Sequence, residues 1–306
     1  MPNKEELLKL YNMDLDELLK ISSQYIKNDI EFCSLVNARN GKCSQNCKYC
    51  AQSSHYCTNI ETFPLIDISE VKKAALEAKS NKASRFAIVT SGKTPDEGRD
   101  FKLELEMIKE INKIEGLNSC ASIGILNEEQ AKQLADAGLK RFHHNINTCR
   151  SYYPEVCTTH TYQDRIDTCK LVKKYGMELC CGVILGMGET VEQRIEMALE
   201  LSEIQPDSIP INILMPIPET PFENYLDKID EENVLRTLAV FKIANPKSVL
   251  RFCGGRMRLS EENQRKALKT CVEGVMVGNY LTTIGKAPQE DIQTAKELGK
   301  NIVTTV

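Results

Sequence analysis

The feature of this sequence that most restricts its fold is a regular alternation of two kinds of segment. Short apolar runs rich in β-branched residues alternate with longer stretches in which apolar residues recur at helical spacing. The short runs are Glu31–Ala38, Arg85–Ser91, Ser119–Gly124, Arg141–Asn147, Glu178–Leu185, Ser208–Leu214, Ser248–Gly255 and Gly274–Leu281. The helical stretches include Ile68–Asn81, Asn127–Ala137, Tyr162–Tyr175, Val191–Ile204 and Ser260–Cys271. Strands that alternate with helices in this way form parallel sheets.

Eight strands are enough to close a parallel barrel, and a chain of 306 residues has a suitable length for one. We therefore predict an α/β fold, a TIM-type (β/α)8 barrel, as a single domain over residues 1–306. Residues 1–30 are expected to form a helical N-terminal cover, residues 31–285 the barrel, and residues 286–306 a C-terminal tail or helix. Local signals agree, because Asn127 suits an N-cap and Gly138 and Gly176 follow helical runs as C-cap glycines do.

Composition and charge limit the classes of function. A net charge of −4 argues against a nucleic-acid partner, because phosphate binding favours a basic protein surface. The N-terminus has neither the apolar stretch of a membrane span nor a secretory signal. We therefore expect a cytoplasmic protein without a nucleic-acid or membrane partner. Its 13 cysteines would then be reduced, and metal or cluster ligation becomes the leading explanation for some of them.

Three cysteines form the strongest motif, a C-x3-C-x2-C loop of Cys43, Cys47 and Cys50 directly after the first predicted strand. Function sits on such loops in parallel barrels. Three thiolates can hold three irons of a 4Fe–4S cluster, which leaves the fourth iron open for a ligand. A zinc site built on Cys47 and Cys50 is an alternative, although the chain has no second C-x2-C pair. A thioredoxin-like dithiol is another, but it leaves Cys43 unexplained.

This motif, in the first loop of an α/β barrel, resembles the signature of radical S-adenosylmethionine (SAM) enzymes. Five segments are similar to segments of the biotin synthase family: Asn37–Tyr56, His143–Thr148, Gly182–Glu189, Ile209–Leu214 and Leu281–Thr283. The resemblance implies an enzyme, a radical SAM sulfurtransferase, that inserts sulfur into dethiobiotin to form biotin. It also implies that cofactors carry the radical chemistry, with no catalytic side chain.

The resemblance gives roles to individual residues. Cys43, Cys47 and Cys50 would bind the 4Fe–4S cluster, with SAM on its open iron. Contacts to SAM are expected from Tyr49, Asn145, Asn147, Arg165 and Ile184. Contacts to dethiobiotin are expected from Asn145, Asn212, Thr282 and Thr283. On the residues alone, Ile184 could also be barrel core and Arg165 a solvated helix residue, whereas strand alternation puts Asn145 and Asn147 on one face.

In this family the sulfur comes from a second cluster deep in the barrel, and the best-known members hold it with three cysteines and one arginine. Here Ala87 stands at one of those cysteine positions, while Cys120, Cys180 and Arg251 match the others. We hypothesise a rebuilt auxiliary cluster, 4Fe-type in preference to 2Fe–2S, with four thiolate ligands: Cys33, Cys120, Cys180 and Cys253. Alternatively, Cys33 and Cys253 are small buried apolar residues.

Further expectations follow from the resemblance. An electron donor such as flavodoxin or ferredoxin and a homodimeric state are implied. Asn147 replaces the family's usual aspartate, which would weaken its bond to the ribose of SAM. Two other functional classes stay open, namely another radical SAM enzyme of the same barrel subgroup, such as a maturase or mutase acting on an amino acid, and a non-catalytic iron–sulfur or zinc protein.

Overall fold

The structure, a computed structural model, describes residues 2–95, 98–278 and 285–304. Within these ranges ten strands form one sheet in which the paired strands are parallel. The strands are β1 (Asp29–Arg39), β2 (Arg85–Thr90), β3 (Asn118–Ser122), β4 (Arg141–His143), β5 (Glu178–Cys180), β6 (Val183–Leu185), β7 (Ser208–Ile213), β8 (Val249–Phe252), β9 (Gly274–Met276) and β10 (Asn301–Val303). The α-helices are α1 (Lys4–Tyr11), α2 (Leu15–Ser22), α3 (Ile68–Ser80), α4 (Arg99–Asn112), α5 (Glu128–Asp136), α6 (Tyr153–Val156), α7 (Tyr162–Lys174), α8 (Val191–Ile204), α9 (Glu231–Ala244), α10 (Glu261–Thr270) and α11 (Pro288–Glu297).

The sheet closes on itself. Its order is β1-β2-β3-β4-β5-β7-β8-β9, and β9 pairs with β1 to complete the ring. This confirms the predicted TIM-type barrel. Helices α1 and α2 form the expected N-terminal extension and pack against α8 and α9. One strand, β10, was not expected from the sequence, and it extends the sheet by pairing with Asp29–Glu31 of β1.

The predicted fifth strand, Glu178–Leu185, is in fact two short strands. β5 ends at Cys180 and β6 begins at Val183, and both pair with β7, so together they occupy one position in the ring. The interruption lies at Gly182, where a Cβ atom would be only 1.9 Å from the carbonyl oxygen of Pro210. Glycine permits this close approach of two backbones, and larger residues would force them apart.

The predicted fourth strand is also shorter than expected. β4 ends at His143, and Asn147 has a φ of +66°. Strand alternation therefore does not determine where the side chains of Asn145 and Asn147 point. Instead, the N–H of Asn147 donates to the carbonyl of Gly182 (3.1 Å), and its own carbonyl accepts from the N–H of Ile184 (2.8 Å). With these two bonds the backbone of Asn147 adopts a left-handed conformation, which asparagine tolerates.

Three predicted helix boundaries are confirmed. The side chain of Asn127 accepts a hydrogen bond of 2.8 Å from the N–H of Gln130 and so caps α5. Gly138 and Gly176 follow α5 and α7 with φ values of +85° and +73°, as C-cap glycines do. Across the described ranges, none of the helices combines the length and the apolar character that crossing a bilayer demands.

Phenylalanines of four strands pack between the barrel wall and the surrounding helices: Phe32, Phe86, Phe142 and Phe252. Because side chains alternate along a strand, their immediate neighbours face the barrel interior. Those neighbours are Glu31, Cys33, Arg85, Ala87, Arg141, His143, Arg251 and Cys253. At the level of these residues the barrel interior is therefore lined mainly by charged and sulfur-bearing groups.

Candidate active site

A cavity opens at the carboxyl ends of the strands, the end at which parallel barrels carry their chemistry. It has two adjoining parts with volumes of about 330 and 280 Å³. Both parts are lined by Tyr49, Cys50, Asn145, Ile184 and Asn212. Residues that were predicted to serve a cluster, SAM and a second substrate therefore share one space.

The three-cysteine loop is fixed by its own backbone. The N–H of Cys43 donates to the carbonyl of Gln52 (2.9 Å), and the carbonyl of Cys43 accepts from the N–H of Ser54 (2.7 Å). Cys43, Cys47 and Cys50 all line the first part of the cavity, and they are the only cysteines among the described residues that do so. Three sulfur donors that face one space fit a 4Fe–4S cluster with an open iron.

Two asparagines are held by the backbone of neighbouring segments. Oδ1 of Asn145 accepts from the N–H of Gly182 at 3.0 Å. Oδ1 of Asn212 accepts from the N–H of Gly254 at 3.0 Å, while its Nδ2 donates to the carbonyl of Val183 at 3.2 Å. Each amide therefore has a fixed orientation in the cavity wall. Amide N–H groups held in this way suit a ligand that carries a carbonyl oxygen.

Arg165 lies on α7 and lines the first part of the cavity together with Tyr49 and Ile184. Its Nε donates to the hydroxyl of Tyr153 at 3.1 Å, and its Nη2 lies 2.8 Å from Nε2 of His160. The side chain is thus anchored from two sides and is not a solvated helix residue. A fixed guanidinium group at a cavity wall suits a carboxylate ligand.

Three predicted ligand contacts remain, those of Asn147, Thr282 and Thr283. Asn147 is 5% exposed and lines the first part of the cavity, even though it lies beyond the end of β4. Thr282 and Thr283 lie outside the described residues.

A network of charged residues crosses the barrel near the amino ends of its strands. We call this network of Glu31, Arg85, Arg141, Glu178 and Arg251 the barrel floor. The Glu31 carboxylate accepts hydrogen bonds from Nε of Arg85 (2.7 Å) and Nη1 of Arg141 (2.9 Å), and it also bonds to Arg251. Glu178 pairs with Arg85 and Arg141 as well. Three guanidinium groups against two carboxylates leave one net positive charge on the floor. Such a field favours an anionic group above it.

Four buried cysteines lie on or directly after the strands β1, β3, β5 and β8. Their exposed fractions are 4% for Cys33, 1% for Cys120, 0% for Cys180 and 2% for Cys253. Burial raises the pKa of Cys33, Cys180 and Cys253, and the nearby guanidinium group of Arg251 opposes that rise. Nη1 of Arg251 is buried and has no hydrogen-bond partner among the described residues. A buried donor beside several thiols fits an anionic ligand, as a thiolate-bound cluster would be.

One contact at the site was missed by sequence reasoning. Sγ of Cys157, just after α6, lies 3.6 Å from Sγ of Cys47, and Nδ1 of His160 lies 3.2 Å from Sγ of Cys157. None of the predictions from sequence involves Cys157. Its 110-residue separation from Cys47 and the lack of any ligand spacing gave no signal of this contact.

Comparisons with known proteins agree with this geometry. The family model for the Radical SAM superfamily matches residues 39–201, and the model for the Biotin and Thiamin Synthesis associated domain matches residues 210–301. Biotin synthase of Acetivibrio thermocellus is 44% identical over 92% of this chain and 88% of its own length. Biotin synthase of Clostridium tetani is 42% identical over 95% of this chain and 90% of its own length.

Solved structures support the fold. Methylornithine synthase superposes with a TM-score of 0.83 at 15% identity and covers 98% of this chain and 94% of its own. The FeFe-hydrogenase maturase of Carboxydothermus hydrogenoformans also gives a TM-score of 0.83, at 13% identity, over 98% of this chain and 76% of its own. At these sequence identities the structural similarity shows only the barrel fold. The family is shown by the sequence relatives. This chain therefore belongs to the biotin synthase family of radical SAM enzymes.

Proposed function

We propose that this chain inserts a sulfur atom into dethiobiotin to form biotin, and that it does so with two iron–sulfur clusters held at different depths of one barrel. The observation that carries the proposal is the arrangement of its thiols. Three thiols line the first part of the cavity, and four others are buried on the barrel strands, of which Cys253 also lines the second part. Polar amides line both parts. A carbon–sulfur bond requires a radical source and a sulfur source within reach of one substrate.

In this proposal Cys43, Cys47 and Cys50 hold a 4Fe–4S cluster. When bound and reduced, this cluster supplies the electron that cleaves SAM to methionine and a 5′-deoxyadenosyl radical. The chain's task is to hold SAM against the loop. Tyr49 and Ile184 would pack on its adenine, and three polar residues would bind the rest of the molecule: Arg165 its carboxylate, and Asn145 and Asn147 its ribose.

Dethiobiotin would occupy the second part of the cavity. Asn212 and Asn145 offer fixed amides to its ureido ring, because the backbone bonds of both side chains already determine which atom faces the cavity. Thr282 and Thr283 would hold its carboxylate tail. Enclosure within the barrel excludes water and other hydrogen donors, so that the radical reaches only the carbons presented to it.

The sulfur source would be an auxiliary cluster bound by Cys33, Cys120, Cys180 and Cys253. Four thiolates suit a 4Fe-type cluster better than a 2Fe–2S cluster with an arginine ligand. In the structure the guanidinium group of Arg251 bonds to Glu31 and to Oγ of Ser208 (2.7 Å). These bonds leave only Nη1 of Arg251 without a partner among the described residues, and they hold the guanidinium group against a carboxylate. A guanidinium group that stays charged has no lone pair for iron, so we expect Arg251 to act as a charge partner of the cluster rather than as an iron ligand.

Iron content tests the four-cysteine site. The proposal predicts about eight irons per chain after anaerobic reconstitution, the sum of two four-iron clusters. Cys180→Ala should lower this number to about four. Cys181→Ala is the matched control, because this neighbouring thiol faces α7, where its Sγ lies 3.9 Å from Sγ of Cys169. A Mössbauer spectrum dominated by a 2Fe–2S doublet would refute the 4Fe-type cluster.

Turnover tests the reaction itself. The reduced, reconstituted protein is incubated with SAM and dethiobiotin under nitrogen, and 5′-deoxyadenosine and biotin are measured by mass spectrometry. Both products are expected. Deoxyadenosine without biotin would point to another radical SAM reaction, and neither product at full iron content would contradict a radical enzyme. An electron donor such as flavodoxin or ferredoxin, a homodimeric state and a cytoplasmic location complete the proposal.

A further inference from the structure

A chain of hydrogen bonds connects the N-terminal extension with the loop between β6 and α8, which covers residues 186–190. The hydroxyl of Tyr11, the last residue of α1, accepts from Nη1 of Arg194 at 3.0 Å. Nε of the same guanidinium group donates to Oε1 of Glu189 at 3.1 Å. The first helix of the chain is thereby joined to the loop that follows Ile184 and its strand.

Glu189 holds this loop by its backbone. The two carboxylate oxygens accept from the N–H groups of Gly186 at 2.9 Å and Met187 at 2.8 Å. The loop needs such support, because Gly186 and Gly188 have φ values of +89° and +98°, and glycine reaches many other conformations at similar energy. The position of one carboxylate group therefore determines the path of the loop.

The loop in turn supports the wall of the cavity. The side chain of Met187 is completely buried in a small apolar cluster. The other buried members of this cluster are Val156, Leu214 and Phe222. Tyr49 and Ile184 pack against the cluster, and both line the two parts of the cavity. A displacement of Met187 would therefore move the surface on which the adenine of SAM is expected to pack.

The directions of the bonds at Tyr11 are fixed by its partners. A guanidinium group only donates, so the hydroxyl oxygen accepts from Arg194 and sends its own proton elsewhere. The nearest acceptor is Oδ1 of Asn233, at 2.7 Å. Nδ2 of Asn233 donates to the carboxylate of Asp230 at 2.9 Å, which fixes the orientation of the amide. The hydroxyl of Tyr11 is therefore held from both sides and presents its oxygen to Arg194.

Arg194 depends on this oxygen because it is buried. The side chains of Arg194 and Glu189 are 6% and 0% exposed, so water does not readily replace a lost partner. Without the hydroxyl, Nη1 of Arg194 would lose the acceptor that the structure gives it. The guanidinium group would then shift toward another acceptor, and the carboxylate of Glu189 would shift with it.

The competing interpretation is that these bonds only fasten the extension to the barrel. Other bonds already do so. Nη1 of Arg236 donates to the carbonyl oxygens of Tyr11 and Met13 at 2.8 and 2.6 Å. The hydroxyl of Ser22 donates to the carbonyl oxygen of Thr270 at 3.0 Å. Neither contact involves the loop, so the bond from Arg194 to Tyr11 is the one that relates the extension to the cavity wall.

We propose that Tyr11 is a positioning residue for SAM, which acts through Arg194 and Glu189 on the loop that supports the adenine-facing wall. The inference rests on the proposed contacts of SAM with Tyr49 and Ile184. It gives the N-terminal extension a function in SAM binding, in addition to covering the barrel.

The test compares Tyr11→Phe with Ser22→Ala. Each variant loses one hydroxyl of the extension from a buried side chain, but only Tyr11 belongs to the chain of bonds that reaches Glu189. SAM affinity of the reconstituted proteins is measured by calorimetry under nitrogen at equal iron content. We expect the Kd for SAM to rise about three- to ten-fold in Tyr11→Phe, as expected for breaking one link of a coupled network. The Kd of Ser22→Ala should equal that of the wild type.

Equal SAM affinity in wild type and Tyr11→Phe would overturn the inference and leave the proposed function intact. An equal loss of affinity in Ser22→Ala would also overturn it, because any loosening of the extension would then have the same effect. A reconstituted wild type that binds no SAM would instead overturn the proposed SAM site.

A double-mutant cycle gives a second measurement. Arg194→Lys keeps the positive charge but lacks a second arm for Tyr11, so it already breaks the chain of bonds. Adding Tyr11→Phe to Arg194→Lys should therefore weaken SAM binding no further. A full additional loss of affinity in the double variant would show that Tyr11 does not act through Arg194, and it would overturn the inference.

Discussion

Replacing Glu31 by glutamine removes the charge on which the barrel floor is organised. The Glu31 side chain is only 9% exposed, and its carboxylate pairs with Arg85, Arg141 and Arg251. Glutamine keeps the shape of the side chain but loses the charge. The guanidinium groups of Arg85 and Arg141 would retain Glu178, whereas Arg251 would have no carboxylate partner among the described residues.

The expected cost follows from burial. Removing one member of a buried ion pair costs about 3–5 kcal/mol, because the remaining charge is left uncompensated away from water. We expect the free energy of unfolding of Glu31→Gln to fall by about this amount at pH 7. Glu178→Gln is the matched control, since its side chain is 39% exposed. Water can replace that carboxylate, so its loss should cost about 1 kcal/mol or less.

Urea denaturation of cluster-free protein under nitrogen measures both variants against wild type. Burial alone would raise the pKa of Glu31, but Arg251, Arg141 and Arg85 outweigh it and hold that pKa well below its usual range. A carboxyl group of this kind stabilises the fold above its unfolded pKa of about 4, and the contribution is lost as the pH falls through the folded value. The gap between wild type and Glu31→Gln should therefore be full at pH 7 and narrow below about pH 4. Equal losses in the two variants, or a gap independent of pH, would refute the reasoning.

Three further substitutions probe other parts of the structure. Asn147→Asp should tighten SAM binding about five-fold, because a carboxylate accepts a stronger bond from a ribose hydroxyl than an amide does; calorimetry under nitrogen measures this, and unchanged affinity would contradict the contact. Gly182→Ala should cost about 3 kcal/mol of stability or more in urea denaturation, because its Cβ would lie 1.9 Å from the carbonyl oxygen of Pro210. Gly176→Ala meets nothing within 4 Å and should cost only the strain of its left-handed backbone, about 1–2 kcal/mol. Glu200→Gln should flatten the pH dependence of stability, because desolvation raises the pKa of Glu200 to about 7. The free energy of unfolding of the wild type should fall as the pH rises from about 4 to 7, since in this range only the unfolded chain has released the proton. An equally steep fall in the variant would argue against this assignment.

Much of the fold could be predicted because it rests on local patterns. The alternation of apolar runs and helical stretches predicted the closed barrel, and Asn127 marked the start of α5. The interruption at Gly182 could not be predicted, since it depends on how closely the Pro210 backbone approaches from another strand. Asn147 shows the same limit, because its left-handed conformation comes from bonds to that interruption.

The site was predictable where residue type and spacing carry the chemistry. The cysteine loop and the cavity amides are of this kind. The floor network was missed, although it left a signal, because charged residues at the starts of buried strands, such as Glu31, Arg85, Arg141 and Arg251, require partners. The contact of Cys157 with Cys47 left no signal in the sequence, because it depends on the packing of α6 against the cysteine loop.

The origin of the inserted sulfur tests the central claim most directly. The clusters are reconstituted with sulfide carrying a heavy sulfur isotope, and a single round of turnover is run with unlabelled SAM and dethiobiotin. We predict biotin that carries the heavy isotope in the wild type and in Cys181→Ala, and no biotin from Cys180→Ala at full loop-cluster content. Unlabelled biotin, or labelled biotin from Cys180→Ala, would contradict a sulfur source bound by the buried cysteines.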